Sequence, residues 1–291
     1  MPPDRAGKCP KGPLVVEINM NFALKSLVAA AAIASVGLAS AATTPVGGSL
    51  TLNGNNYTLT GGTGTLSFSS SLITALNVGK VVVTGVEPAT VTEVLTPKPP
   101  FGSTRTGVSA AAPITSVTTT AAGAVTLVNT AGGATMTANV LEGVSLGGSL
   151  SVTNLAVDLT NKKIFASITG DFRGVATNEA APYGSSVITT KNDFHLWNFA
   201  TITGPTTLNG AGAYTNAISG LTITQDGFKH FVSALRLVDL GVSTLSNVTD
   251  YGTINSTINV AAAAVPEPST YALMGLGLAG IALAARRRAA K

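Results

Sequence analysis

Two apolar runs, one near each end, divide this chain of 291 residues into a central body and two terminal segments. The first run, Leu27 to Leu38, follows a short basic start and precedes Ala39-Ser40-Ala41. A basic start, a short apolar run and small residues before a cut are typical of a secretory signal peptide. About 12 apolar residues are too few for a stable membrane span. We predict a signal peptide over 20–41, in which Ala39 and Ala41 are the small residues that signal peptidase needs before its cut; the alternative is a buried Ala-rich core helix.

The 19 residues before Met20 resemble neither the start of a signal peptide nor a folded element. They contain several prolines and Cys9, the one cysteine of the chain. We hypothesise that Met20 is the true start and that residues 1–19 are an upstream extension. A mature chain without Cys9 has no disulfide, which excludes a disulfide-stapled scaffold.

At the other end, Val265-Pro266-Glu267-Pro268 precedes a second apolar run, 269–285, which Arg286-Arg287-Arg288 follow. Seventeen residues at about 1.5 Å each give a helix of roughly 26 Å, near the lower limit for spanning a bilayer. The prolines stop upstream structure from continuing into this helix. Arginines at its end indicate the cytoplasmic side. We predict a transmembrane helix over 269–285 that anchors the chain transiently in the inner membrane.

This order of motif, helix and basic cluster resembles the PEP-CTERM sorting signal of Gram-negative bacteria. The resemblance covers 265–288 and includes the Gly-Leu-Gly-Leu-Ala-Gly stretch at 275–280. It implies recognition by an exosortase, a membrane protease that acts near Pro-Glu-Pro and releases the rest of the chain to the cell surface or the medium. Such bacteria commonly make extracellular polysaccharide, so an envelope or biofilm context is also implied. A simple C-terminal membrane anchor is the alternative.

The body between the two ends carries little charge. Residues 42–264 contain nine basic and ten acidic residues, a net charge of 9 − 10 = −1. A protein that binds nucleic acid needs a clustered basic surface, so nucleic acid is excluded as a partner. Charged residues make up 10% of the chain, against about 25% in ordinary domains. Disorder driven by high net charge is therefore excluded too.

The body, 42–264, is predicted to be one secreted, mainly β domain. Thr, Val, Ser and Gly dominate it, which favours strands separated by turns. Asn53-Gly54 between apolar alternations predicts a hairpin, and 150–170 predicts a second hairpin with a bulge near Asn154. Several prolines within 87–107 predict a long exposed loop or linker. The fold class we predict is an antiparallel β-sandwich with one or two short helices.

Two segments carry the periodicity of short helices. Phe228 to Leu235 has an apolar stripe at helical spacing, with Asp226 as the expected N-cap. Leu72 to Leu76 is a shorter example that Gly79 ends.

The aromatic strand 194–199 is the candidate ligand-binding segment. We expect Trp197 and Phe199 on one face and Phe194 and Leu196 on the other. With His195, Trp197 and Phe199 could stack on a glycan or a haem-type ligand. A structural role for His195 is the alternative. His230 is expected to lie in solvent, away from the helical stripe.

The sequence contains no convincing catalytic or metal constellation. Gly143-Val-Ser145-Leu-Gly147 matches the hydrolase elbow, but a strand pattern follows it where the elbow needs a helix. A glycosidase needs two facing carboxylates, and nothing pairs Glu142 with Asp158. Two distant histidines are too few for zinc, and the isolated acids do not suit calcium. We therefore expect no enzyme activity, no catalytic residue, no metal and no cofactor.

Three functions follow from these observations. The first is a non-enzymatic envelope or extracellular-matrix protein, sorted by an exosortase-type system and associated with exopolysaccharide or biofilm. The second is a ligand-binding surface module that uses 194–199. The third is a secreted hydrolase that uses Ser145.

N-terminal sequencing of the mature protein is expected to begin at about Ala42, because signal peptidase cuts after small residues. Detection of a peptide that contains Cys9 in the mature protein would contradict both the cut and the proposed start at Met20.

Overall fold

Strands dominate the architecture. The structure, a computed structural model, describes residues 41–100, 102–263 and 268–289. The strands are β1 Ala42–Pro45, β2 Ser49–Leu52, β3 Asn55–Phe68, β4 Val82–Val86, β5 Thr90–Pro97, β6 Ser103–Thr119, β7 Val125–Thr130, β8 Gly133–Leu141, β9 Ser145–Asp158, β10 Lys163–Asp171, β11 Ile188–Asn198, β12 Thr201–Thr203, β13 Gly212–Ser219, β14 Thr222–Ile223 and β15 Gly252–Ala262. The helices are α1 Ser70–Val78, α2 Gln225–Ala234, α3 Asp239–Ser246 and α4 Pro268–Ala289, and a 3-10 turn spans Val175–Thr177. The predicted mainly β class is confirmed.

Two predictions fall on parts of the chain that the structure does not describe. The signal peptide, including Ala39, lies outside the described residues apart from Ala41, which is exposed at the start of the domain. The motif residues Val265, Pro266 and Glu267 also lie outside them.

All strand pairs are antiparallel, and the fifteen described strands belong to one hydrogen-bonded network. Its main path runs β12-β13-β15-β3-β6-β7-β9-β10-β11-β14. We call β2, β3, β5, β12, β13 and β15 the first half, and β1, β4, β7 to β11 and β14 the second half. The predicted sandwich would consist of two separate sheets, whereas here β6 pairs with strands of both halves.

Strand β6 changes partners at Pro113. Before this point it pairs with β3, up to the pair Thr63↔Pro113. Beyond it, pairing with β7 starts at Ile114↔Thr130, and a register shift follows at once. Proline cannot donate to a β ladder and is found at bulges and edges. Pro113 therefore lies at the point where β6 stops pairing with the first half of the sheet and begins to pair with the second half.

The two halves share one core. Ile218 and Ile254 of the first half belong to the same buried cluster as Val152 and Ile164 of the second half. Burial of these apolar side chains is the main favourable term in folding. The apolar alternation along the strands therefore faces inward, as the sequence predicts for half-buried strands.

Both predicted hairpins are present. Asn53 and Gly54 have φ values of 52° and 78° in the turn between β2 and β3, as a type I′ turn requires. Strands β9 and β10 form the second hairpin, whose register shifts opposite Asn154. Asn154 has a φ of 53° there, so the predicted bulge is confirmed.

The predicted loop over 87–107 is wrong. Strand β5 pairs with β6 from Thr90↔Ala111 to Pro97↔Ser103, so this segment contains most of a hairpin. The prolines lie before β5 and around its turn, where no ladder hydrogen bond is lost. The side chains of β5 are mostly exposed. The segment therefore lacks the apolar alternation by which a strand is recognised.

The short helices α1 and α2 lie where their patterns predict. In α1 the Ser69 hydroxyl accepts a hydrogen bond from the Leu72 amide at 3.1 Å. The N-cap of α2 is Thr224 rather than the expected Asp226, because the Thr224 hydroxyl accepts from the Gly227 amide at 3.0 Å. Asp226 lies in the first turn, where a carboxylate favours the helix dipole. Helix α3 was not predicted.

A buried ion-pair cluster fixes the segment after β10. The Arg173 guanidinium donates to both carboxylate oxygens of buried Asp171. Arg236 lies 3.6 Å from the same carboxylate and donates to the Pro182 carbonyl at 2.7 Å. The Val187 amide donates to the Asp171 carboxylate as well. One carboxylate thus ties together the two ends of the chain segment that precedes β11.

The hydrogen bond from Arg173 holds the pKa of Asp171 below its usual value of 3.8. We expect Asp171→Asn to lower the free energy of unfolding at neutral pH by about 2–4 kcal/mol, because it leaves buried Arg236 without its carboxylate. Because the pKa of Asp171 is lower in the folded than in the unfolded protein, its ionised carboxylate stabilises the fold above about pH 5. This stabilisation is lost as the pH falls through 3.8 and then through the folded pKa. Urea unfolding between pH 7 and pH 3 should therefore show the difference from wild type shrinking at acid pH.

Asp193→Asn is the matched control for this prediction. Asp193 is exposed and has a φ of 50°, which asparagine tolerates. An effect of Asp193→Asn as large as that of Asp171→Asn, or a pH-independent effect of Asp171→Asn, would contradict the role of the cluster.

Candidate functional site

An apolar cavity lies between the two halves of the sheet. Its volume is about 70 Å³. Strands β3, β6, β13 and β15 line it on one side and β7, β8, β9 and β11 on the other, with Phe231 of α2 and Tyr251 completing the wall. The polar lining residues are few, and none of the lining residues carries a charge.

Most polar groups of the cavity wall are satisfied by neighbours in the wall. The Ser256 hydroxyl donates to the Asn216 amide oxygen at 2.6 Å. The Thr130 hydroxyl donates to the Leu155 carbonyl at 3.3 Å. In both pairs the hydroxyl hydrogen is used within the wall.

Two polar atoms of the wall have no partner. The Trp197 Nε1 and the Tyr251 hydroxyl are both buried and make no hydrogen bond. The two rings lie close together, with centroids 6.5 Å apart. Burial raises the pKa of Tyr251, so its hydroxyl is protonated at neutral pH. An unsatisfied buried donor costs about 1–3 kcal/mol, and two such donors on lining residues of one cavity are unusual.

The aromatic strand 194–199 does not form one surface. Trp197 pairs with Ile164 and His195 with Phe165, and Leu196 is the extra residue of a bulge between them. Neighbours on β10 point to opposite faces, so the bulge places Trp197 and His195 on opposite faces too. Trp197 lines the cavity, whereas Phe199 is buried in the core without lining it. The structure therefore does not bring His195, Trp197 and Phe199 together.

His195 is half-buried on the outer face. Its Nε2 lies 3.0 Å from the Asn198 amide oxygen. Its ring lies over Phe165 with centroids 5.2 Å apart. These contacts fit a structural role for His195, which was the alternative to ligand binding.

The expectation that His230 lies in solvent is wrong. His230 is buried between the rings of Phe172 and Phe194, with centroids 4.8 Å and 4.6 Å away. Burial lowers the pKa of His230. The apolar stripe predicts the face of α2 that packs on the core, but the opposite face is covered by these two rings, Phe172 after β10 and Phe194 in β11.

Ser145 is not an exposed nucleophile. It is buried, and its hydroxyl donates to the Leu235 carbonyl at 2.7 Å. It begins strand β9, whereas a nucleophile elbow places its serine before a helix. The arrangement gives no support to a hydrolase at this residue.

The acidic residues also act structurally. Asp158 accepts hydrogen bonds from the Thr160 and Asn161 amides, both at 2.9 Å, and so closes the turn between β9 and β10. Glu142 is exposed at another turn. Within 41–100, 102–263 and 268–289 there is no group of three or more His, Cys, Asp or Glu side chains that could hold a metal ion.

The C-terminal segment forms the helix that its sequence predicts, over Pro268–Ala289. The described side chains from 272 to 282, and Arg286, are all exposed. Among the described helices none is both long enough and apolar enough to cross a membrane. The predicted transmembrane role of 269–285 is therefore not confirmed.

Tyr251 is the functional candidate that sequence reasoning missed. It follows helix α3 and immediately precedes β15, in a stretch without strand or helix periodicity. In the sequence, a single tyrosine beside a glycine does not by itself indicate a functional site. Only the packing of Tyr251 against Trp197 and Phe231 gives it a role.

Comparison with known proteins gives a match at the C-terminus. Residues 264–288 match the model of the PEP-CTERM protein-sorting motif. No match was found among the curated proteins. The crystal structure of the heme binding protein HtaB from Corynebacterium glutamicum is similar over 70% of this chain and 95% of that chain, with 13% identity and a TM-score of 0.36. A similarity at this TM-score supports no conclusion about fold or ligand.

The matched residues include the whole predicted motif, Val265 to Pro268, and the arginines 286–288. The chain thus carries a PEP-CTERM sorting signal, which makes it an exported protein that an exosortase-type system processes.

Proposed function

We propose that the β domain, 42–263, is a non-enzymatic component of the cell envelope or extracellular matrix, cut from its C-terminal tail during export and associated with exopolysaccharide. Signal peptidase would remove the N-terminal segment and the exosortase the C-terminal one. The observation that carries the proposal is the sharp boundary between the domain and the tail.

That boundary lies within a few residues. Strand β15 ends at Ala262, and the Ala263 amide still donates to the Asn56 carbonyl at 3.2 Å. Helix α4 begins at Pro268. A cut near the Pro-Glu-Pro motif therefore removes no strand, and the exposed helix takes no described side chain out of the core.

The surface of the domain supports contact with a neutral polysaccharide. Hydroxyl side chains pair across neighbouring strands, as in Thr215 with Thr257 at 3.2 Å and Thr169 with Thr190 at 2.8 Å. Thr201 and Ser219 form another such pair, at 2.7 Å. Hydroxyl groups both donate and accept, so rows of them suit the hydroxyls of an uncharged sugar chain.

A non-enzymatic role is supported by the buried state of Ser145 and by the structural contacts of Asp158. A glycan- or haem-binding surface on 194–199 is less well supported than matrix association, because the bulge at Leu196 separates His195 from Trp197.

A chain of residues 42–263 is expected to unfold at the same temperature as one of residues 42–291, within about 2 °C, because the described side chains of the tail are exposed. A chain that ends at Asn255 should not fold, since it loses much of β15, which pairs with both β13 and β3. Circular dichroism during heating measures all three. A fall of more than about 5 °C for 42–263 would show that the tail stabilises the domain.

Glu267→Ala changes the Pro-Glu-Pro motif near which the exosortase is proposed to cut. The domain is therefore expected to fold but to stay attached to its tail, in the membrane fraction. The chain with Glu142→Ala, which changes an exposed glutamate of the domain, should be released as wild type is. Immunoblots of membrane, surface and medium fractions measure the distribution.

The same strains test the matrix role. Deletion of the gene should weaken the biofilm or alter its polysaccharide, and wild type and Glu142→Ala, but not Glu267→Ala, should restore it. Unchanged biofilm, matrix and envelope properties in the deletion strain would count against the proposed function, whatever the fractionation shows.

A further inference from the structure

We propose that the cavity between the two halves of the sheet binds one small, uncharged and mainly apolar molecule of about four heavy atoms. Its hydrogen-bond acceptor would contact the Trp197 Nε1–H and the Tyr251 hydroxyl. This inference goes beyond the matrix role and does not depend on it.

The size of the ligand follows from the volume of the cavity. A water-sized sphere needs roughly 10–15 Å³ of such volume. The cavity of about 70 Å³ therefore has room for about five such spheres. An engineered apolar cavity that binds benzene has a volume of about 150 Å³, so this cavity, about half as large, suits a ligand of about four heavy atoms rather than a six-membered ring.

The small residues of the wall help to create this space. Gly64, Ala110, Ala112 and Ala134 line the cavity where larger apolar residues would fill a core. At Gly64 the backbone does not require glycine, because an added Cβ would meet only Thr130 Cγ2, at 3.7 Å. That is an ordinary van der Waals contact, so the space beside Gly64 comes from the choice of residue and not from a backbone constraint.

The polarity of the ligand follows from the two unpartnered groups. An indole N–H can only donate, and a tyrosine hydroxyl can donate as well. Both atoms are buried without partners on neighbouring rings. A carbonyl or ether oxygen accepts two hydrogen bonds and would satisfy both groups.

The charge of the ligand follows from the rest of the wall. None of the lining residues is charged, and an unpaired ion is strongly disfavoured in such surroundings. A carboxylate or an amine should therefore be excluded, even when its apolar part has the right size.

Three probes of the same size separate these properties: acetone carries an acceptor, isobutene carries none, and acetate carries a charge. The exported protein is purified from cells in buffer without detergent. Because the chain has a single tryptophan, its fluorescence reports on Trp197. Acetone and isobutene are expected to raise the melting temperature and change this fluorescence saturably, each competing with the other. Acetate should do neither.

Two variants locate the site. Gly64→Val fills the cavity and should weaken the binding of both neutral probes at least tenfold. Thr63→Val is its matched control, because Thr63 is the exposed neighbour on the same strand. Tyr251→Phe should weaken the binding of acetone about two- to tenfold, the effect of one hydrogen bond, and leave the binding of isobutene unchanged.

Three outcomes would overturn the proposal. Unchanged melting with every probe would mean that the cavity holds water alone. Equal binding of acetate would contradict the exclusion of charged ligands, and equal binding by Gly64→Val and Thr63→Val would place the probes elsewhere. Should Gly64→Val not fold, Ala112→Val fills the same cavity from β6 and carries the same expectation.

Discussion

The fold depends on one strand that belongs to two halves of a sheet. Strand β6 spans 17 residues, Ser103–Thr119, far longer than the usual five or six. Its first part pairs with β3 and β5, and its last part with β1 and β7. Because the apolar side chains on both halves face inward, this one strand fixes how the halves lie against each other. The shared core and the cavity both follow from it.

Local patterns in the sequence predict the elements that depend on near neighbours. The Asn53-Gly54 turn, the bulge at Asn154 and helix α1 between Ser69 and Gly79 are of this kind. In the turn and in α1 the deciding interaction joins residues only a few positions apart, and the bulge interrupts pairing within a single hairpin. The class of the fold follows from many such patterns together.

What the sequence could not predict depends on distant contacts. His230 is buried because Phe172 and Phe194 cover it, and neither belongs to its helix. One extra residue, Leu196, places His195 and Trp197 on opposite faces of the strand. The amino-acid composition of 194–199 does not indicate where such a bulge lies. The candidate site shares this property, because Trp197 was identified from the sequence but its partner Tyr251 was not. The sorting motif is linear, so sequence alone suffices for it.

The scarcity of charge has two consequences in the same molecule. On the surface, paired hydroxyl groups such as Thr215 and Thr257 stand where other domains carry ions. In the interior, none of the residues that line the cavity is charged, and two buried donors, the Trp197 Nε1 and the Tyr251 hydroxyl, have no hydrogen-bond partner. Ion pairs are concentrated instead around Asp171, where they fix a loop. The neutral partners that we propose for the surface and for the cavity both rest on this scarcity of charge.

Hydrogen exchange of the backbone amides tests the central claim, that β6 holds both halves together. If it does, the amides of β6 on either side of Pro113 exchange only when the whole domain unfolds, with the same free energy of opening. Short strand β12 at the end of the main path should exchange faster, through local opening. Exchange of the two parts of β6 with clearly different opening free energies, or as fast as in β12, would contradict the account.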